Sequence, residues 1–267
     1  MLLNFNKLGW WRYILVIILI IVSAFLLLPI IFIVALSFGS SQWLIFPPPG
    51  WTTRWYVELF SDPRWLTSAW TSFKIAVVVT ILSVGLGLIS SFGLVRGQFK
   101  GREVVRTFFL TPMIMPVIIL AVALYAFSLK LGFNGTFFGF VIGHLILALP
   151  FSVLSITTVL EGFDKSIEDA AVLCGASQWQ ARLQITVPAI MPGIFSAAIF
   201  SFLTSWDEVV VAIFQASPTL QTLPVKIWAT LGQSLTPVIA AASTMLILFT
   251  LVLMLFFALL RKGNEND

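Results

Sequence analysis

Six stretches of this chain are free of aspartate, glutamate, lysine and arginine over lengths that can cross a bilayer, and no soluble fold tolerates that pattern. They lie between Arg12 and Arg54, Lys74 and Arg96, Arg106 and Lys130, Lys130 and Glu161, Arg182 and Asp207, and Lys226 and Arg261. A hydrocarbon core about 30 Å thick takes about 20 apolar helical residues. The first apolar run extends from Tyr13 to Ser37, too long for a signal-peptide core, and is read as a retained helix. Gly132–Gly135 is expected to turn the chain before the fourth span, and Pro237 to stand just ahead of the sixth. Charged residues make up 10% of the 267, against about 25% in a soluble domain, so they could not cover a soluble surface. The 25 Phe and 10 Trp must face lipid or other helices. One cysteine excludes a disulfide scaffold. The net charge of +4 is dispersed in short groups between apolar runs, which is no nucleic-acid footprint. The fold class expected is all-α, a polytopic membrane protein of six helices forming one domain over residues 1–267.

Those dispersed basic residues set the orientation. With a cytoplasmic N-terminus, the inside segments hold Lys7, Arg12, Arg96, Lys100, Arg102, Arg106, Lys165, Arg182, Arg261 and Lys262. The outside segments hold only Arg54, Arg64, Lys74, Lys130 and Lys226. The positive-inside rule therefore puts both termini in the cytoplasm. Residues 38–69 become extracytoplasmic. Their Trp51, Trp55, Tyr56, Trp65 and Trp70 are expected mostly at the membrane interface, where such rings concentrate. Docking of a partner is the other reading.

Residues 161–192 become a cytoplasmic loop with more structure than a connection needs. Ser166 is placed to cap a helix, and Ile167, Ala170, Ala171 and Cys174 share one face at helical spacing. Gly175 can end that helix in a left-handed conformation. Ser177 can cap a second short helix through Trp179 and Leu183, with Pro188 and Pro192 ending it or leading into the fifth span. Cys174 reads as a small packing residue.

Within this loop Asp169-Ala170-Ala171, three residues, Gly175, nine residues, Ile185, Thr186 and Val187-Pro188 follow in order. That spacing resembles the cytoplasmic signature of ABC importer permeases, Glu-Ala-Ala, three residues, Gly, nine residues, Ile, one residue, Leu-Pro. Asp stands here for Glu and Val for Leu. The resemblance covers the chain from about Leu15 to Leu260. It implies a type I, binding-protein-dependent importer in a bacterial cytoplasmic membrane. Asp169, Ala170, Ala171, Gly175, Ile185 and Pro188 would then belong to the element that docks on the ATP-hydrolysing subunit. The implied partners are a second permease, two ATPase subunits that bind ATP and Mg, and an extracytoplasmic solute-binding protein. The runs Ser201–Val211 and Thr222–Val225 are similar to the second permease of spermidine/putrescine importers. Permeases for other small organic solutes and for ferric iron share parts of the pattern.

The chain lacks a Gly-x-x-x-x-Gly-Lys-[Ser/Thr] phosphate loop, so it is not itself the motor and no cofactor is expected in it. With one histidine, His144, and one cysteine it offers no His/Cys metal cage. His144 reads as a polar helix contact or an interfacial residue, and no constellation suggests an enzyme. Asp207 and Glu208 end the fifth apolar run, where an acid at a helix centre would cost about 2.5–3.5 kcal/mol. They read as lining a path for a cationic solute, Asp207 ahead of Glu208, as capping the outer end of a helix that stops near them, or as pairing with another subunit. Trp206 could pack on a solute's methylenes or on neighbouring helices. An ion-gradient transporter would also use such an acid. Pro112, Pro116 and Pro150, all inside expected spans, are either flexible points or static kinks.

Overall fold

The computed structural model describes the backbone of residues 9–264 and the side chains of residues 9–257. The described chain is helical, with only isolated bridges, Gly39 with Trp51 and Ser217 with Leu220, outside the helices. In chain order the helices are α1 (Trp11–Ser37), α2 (Arg54–Ser61), α3 (Pro63–Arg96), α4 (Arg102–Ile114), α5 (Val117–Leu131), α6 (Phe137–Gly162) and α7 (Lys165–Leu173). There follow α8 (Gln178–Ala181), a π-helical turn Arg182–Thr186, α9 (Val187–Ala189), α10 (Met191–Trp206), α11 (Val210–Gln215), α12 (Leu223–Leu231) and α13 (Pro237–Asn264).

Four of these, α1, α3, α6 and α13, are long and apolar enough to cross a membrane unbroken. The third and fifth expected spans are instead bent pairs. Between α4 and α5 the axis turns by 103°, and between Gln178–Ala189 and α10 by 70°. Counting each pair as one crossing gives six. The first break falls at Met115-Pro116. Proline disfavours a helical residue before it and donates no amide proton, which favours a break at this position. Pro112 and Pro150, by contrast, sit inside continuous helices. The turn at Gly132–Gly135 lies between α5 and α6, and Pro237 opens α13 rather than preceding it. The second span starts at Pro63, eleven residues before Lys74.

The chain divides into two compact units. The first comprises the chain through Asp62 with Thr230–Leu248. In it α1 leaves its apolar side chains exposed along most of its length. Where the helix ends, the Ser37 hydroxyl and the Tyr56 hydroxyl share a hydrogen bond of 2.7 Å, and the Trp55 indole N–H donates to the Gly39 carbonyl at 2.6 Å. Trp55 is accordingly buried, as is Trp65 of the second unit, while Trp51 and Trp70 are exposed. Interfacial placement therefore fits only part of the aromatic set: an indole that packs and finds an acceptor no longer needs the interface.

The second unit, Pro63–Ala229 with the chain from Phe249 on, is built on α3, α6 and α10. Ile75 and Val79 of α3 pack with Phe140, Val141 and Ala148 of α6, and Ile156 and Leu160 of α6 with Ile190 and Ala197 at α10. Lipid tails are as apolar as leucine, so close approach and interhelical hydrogen bonds must hold such a bundle. Gly87 permits the approach, since a Cβ there would stand 2.7 Å from Ser152 Cβ. Beside it Ser83, Ser152 and Ser201, one from each helix and all fully buried, join hydroxyl to hydroxyl at 2.9, 2.8 and 3.1 Å. About two turns along α3, Thr157 donates to the Ser91 hydroxyl at 3.0 Å.

Candidate functional site: a helical hairpin and an acid-lined cleft

Both sets of residues singled out in the sequence fall in the second unit. The first set forms a hairpin of α7 with the α8–α9 rod. Asp164, not Ser166, caps α7: its carboxylate accepts the Ser166 amide at 2.9 Å. Asp164 and Ser166 lie two apart, both suited to the role, and only the backbone path of Phe163 decides between them. The bonds from the Ser166 amide and hydroxyl hold the Asp164 carboxyl below the usual carboxylate range.

Gly175 adopts φ +99°, and the chain reverses there through a double bond pattern, Gly175 N–H to Val172 O at 3.0 Å and Ala176 N–H to Ala171 O at 3.1 Å. Six-to-one and five-to-two bonds around a left-handed residue make a Schellman motif, which satisfies carbonyls that a helix end leaves open. Ser177 then caps α8 in a capping box: its hydroxyl takes the Gln180 amide and the Gln180 carboxamide takes the Ser177 amide. The second arm runs on past Leu183, through Ile185 and Pro188 to Ala189, longer than the sequence suggests.

The hairpin shows apolar side chains outward. Leu173 is 89% exposed and Trp179 69%, with Leu183 also exposed. Cys174 is exposed too, so it is no packing residue within this chain. Asp169 is exposed, its nearest cation Lys165 at 3.6 Å. Between the arms lies a cleft of about 450 Å³ bordered by Arg96, Glu168, Asp169 and Arg182. Arg96 and Glu168, which the sequence reading passed over, form a 2.9 Å ion pair with both side chains under one-tenth exposed. They are 72 positions apart, and no local pattern signals such a pair.

The second set lies at the end of α10. Asp207 is exposed and lines a cleft of about 570 Å³ with Pro112, Met113, Val117, Phe151, Phe200 and Thr204 among its other walls. Residues of the α4–α5 break and of the α10–α11 junction thus meet in one space. Glu208 is buried, and its two carboxylate oxygens accept the Val211 and Ala212 amides at 2.9 and 2.8 Å. Its carboxylate thus satisfies the first turn of α11, a helix start rather than the helix end expected, and the residue borders the Asp207 cleft as well. Fully buried His144 shares a 2.9 Å hydrogen bond with Ser205 and has Nε2 3.8 Å from Glu208, which makes it a helix contact rather than an interfacial residue. Trp206 is buried too, its ring 4.5 Å from Phe249 and 5.9 Å from Phe202. It packs on helices and is not among the residues of the Asp207 cleft. No group of three or more His, Cys, Asp or Glu placed to hold a metal occurs among the described residues.

Broken apolar helices around an acid-lined cleft, with a rigid hairpin displaying apolar side chains beyond them, are the parts of a transporter permease. The family described as binding-protein-dependent transport system inner membrane component matches over residues 83–265, and the chain belongs to that family. It is thus a multi-pass inner-membrane permease subunit of an ABC importer, and an ion-gradient mechanism is set aside. Among its relatives is the spermidine/putrescine transport system permease protein PotC of Escherichia coli (strain K12), 31% identical over 250 residues, 92% of this chain and 94% of that one. The putrescine transport system permease protein PotI of the same strain is 30% identical over 244 residues, 89% and 85% of the two chains. The fold is also that of a chain in the crystal structure of a bacterial alginate ABC transporter in complex with an alginate pentasaccharide-bound periplasmic protein. There the TM-score is 0.72 at 17% identity, over 95% of each chain.

Proposed function

We propose that this permease carries a polyamine or a similar small organic cation, taken from a solute-binding protein, through a path shared with a second permease subunit. The observation that carries the reading is Asp207, an exposed carboxylate on a cleft formed where two broken helices meet. A carboxylate replaces part of the hydration that an ammonium loses, and the attraction grows as water is excluded. One such acid suits a path, because the solute must also leave. The resemblance to PotC and PotI over most of the chain supports the same solute class.

In this reading the hairpin Lys165–Ala189 is the coupling element. Asp169, Ala170, Ala171, Gly175, Ile185 and Pro188 shape or present its docking face, and Leu173 and Trp179 supply apolar contact to a partner ATPase that binds ATP and Mg. Closure of two such ATPases moves the hairpins and biases the spans between inward-open and outward-open states. Residues 161–192 and both termini are then cytoplasmic, as the lysine and arginine count requires.

The test is ATP-dependent uptake of radiolabelled spermidine and putrescine by the full complex reconstituted with its binding protein. Uptake competed by diamines and not by an uncharged polyol of equal length is the expected result. Uptake of the polyol, of ferric iron, or of no cation would overturn the solute class. For the orientation, Cys174 serves as a native probe in membranes without the ATPase subunits. A membrane-impermeant maleimide is expected to label it in inverted vesicles and not in intact cells, and the reverse would invert the topology.

A further inference from the structure

We propose that Arg96 and Glu168 form a strut that transmits displacement of the coupling hairpin directly into α3, making both positioning residues for transport. The inference rests on the coupling reading of the hairpin. The chain joins the hairpin covalently to α6, through Phe163 and Asp164, and to α10, through Ile190, but not to α3. Displacement of the hairpin reaches α3 directly only through side chains. An attachment there converts the push into movement of all three packed spans.

Arg96 supplies that attachment. It is the last residue of α3. Its guanidinium donates from Nε to Glu168 Oε1 at 2.9 Å, and from Nη2 to the Phe163 carbonyl at 3.0 Å. Nη2 also stands 2.9 Å from the same Glu168 oxygen. One planar group therefore grips the end of α6 and the first turn of α7 together, a task suited to a rigid fork and not to the single point charge of lysine. Both ends are favourable for these charges, since a cation suits the open carbonyls of a helix C-terminus and an acid the first turn of the next helix. With side chains only 9% and 8% exposed, the pair is shielded from water that would loosen it. The Arg102–Glu103 pair, outside the hairpin, has side chains 45% and 68% exposed and provides a control of similar chemistry without the shielding. Farther back within α3, Ser83 is bonded to Ser152 of α6 and Ser201 of α10, so what reaches α3 reaches the bundle.

The measurement is ATP hydrolysed per solute imported by the reconstituted complex, with assembly followed by gel filtration. Arg96→Gln and Glu168→Gln are each expected to assemble and to keep solute-stimulated ATP hydrolysis within about twofold of wild type. Uptake is expected to fall about tenfold, raising the ratio by nearly as much. The exchange Arg96→Glu with Glu168→Arg is expected to recover at least a third of the uptake, and Arg102→Gln to leave the ratio unchanged. Arg96→Lys, which keeps the cation but not the fork, should assemble with an intermediate ratio. An unchanged ratio in both Gln variants, or an exchange no better than the single variants, overturns the strut. So does a wild-type ratio in Arg96→Lys if the Gln variants fail to assemble, because the pair is then only structural. Full uptake by a Gly175→Val complex would instead overturn the coupling reading itself. Loss of uptake in Gly175→Val beside wild-type behaviour of the Arg96 and Glu168 variants would remove the strut alone.

Discussion

A Gly175→Val permease is expected to insert and fold, and to import solute at less than one-tenth of the wild-type rate. The reason is conformational, since a Cβ at this position would meet nothing within 4 Å. The residue's φ of +99° is what a β-branched side chain resists. Holding a non-glycine residue in such a region costs about 1–3 kcal/mol, well below the total stability of a folded domain at about 5–15 kcal/mol. The chain therefore survives, but the Schellman reversal relaxes and the α8 arm is re-aimed, with Trp179 and Leu183 on it. Docking of the ATPase should weaken accordingly, measured as loss of co-purifying ATPase together with uptake. Gly175→Asn is the informative companion, because asparagine enters the left-handed region more readily. It should retain much of the activity. Equal loss in both would point to a role for the glycine other than its backbone, and normal uptake by the valine variant would remove the coupling role from this turn.

The two neighbouring acids should separate under amide substitution. Asp207→Asn is expected to assemble normally and to reduce uptake of a dication about tenfold, equivalent to about 1.4 kcal/mol of lost stabilisation in the path. Glu208→Gln is expected to act on the structure. A carboxamide offers one acceptor oxygen, so one of the Val211 and Ala212 amides would face an NH₂ donor instead. Losing a buried bond to a charged group costs about 1.5–3 kcal/mol. The readout is thermal stability and assembly of the complex, with uptake falling only in proportion. Normal transport by Asp207→Asn would dissociate the cleft from cation transport. An assembled Glu208→Gln complex with selectively reduced uptake would bring Glu208 into the path as well.

Local signals in the sequence translated well where they act locally. Ser177 and Gln180 stand three apart and form the box that spacing allows, and Gly175 takes the left-handed turn expected of it. The apolar runs located the spans because dehydration of charge dominates at that scale. The same runs did not show that two spans are broken. Pro116 stands at a helix junction while Pro112 and Pro150 lie within their helices, so a proline by itself does not locate a break. Asp164 takes the capping position expected of Ser166 because α7 begins at Lys165, and two cap-forming residues this close leave the start open in the sequence. That Glu208 accepts the first amides of α11 depends on where that helix begins, which an uninterrupted apolar run from Val209 conceals. Arg96 and Glu168 find each other only once α3 and α6 lie side by side.

The three hydroxyls of Ser83, Ser152 and Ser201 close a ring in which each can give one proton and receive one. A closed ring leaves none of its donors seeking water or lipid. It can therefore lie dry at the centre of α3, α6 and α10 without inviting a water file along their seam. For a machine that must open a passage to one side of a membrane at a time, that seam is a place where leakage is prevented by chemistry rather than by bulk. Sliding any one of the three helices would break two bonds at once. In the proposed transport cycle, that resistance would leave bending to the interruptions at Met115-Pro116 and Ile190, outside the ring.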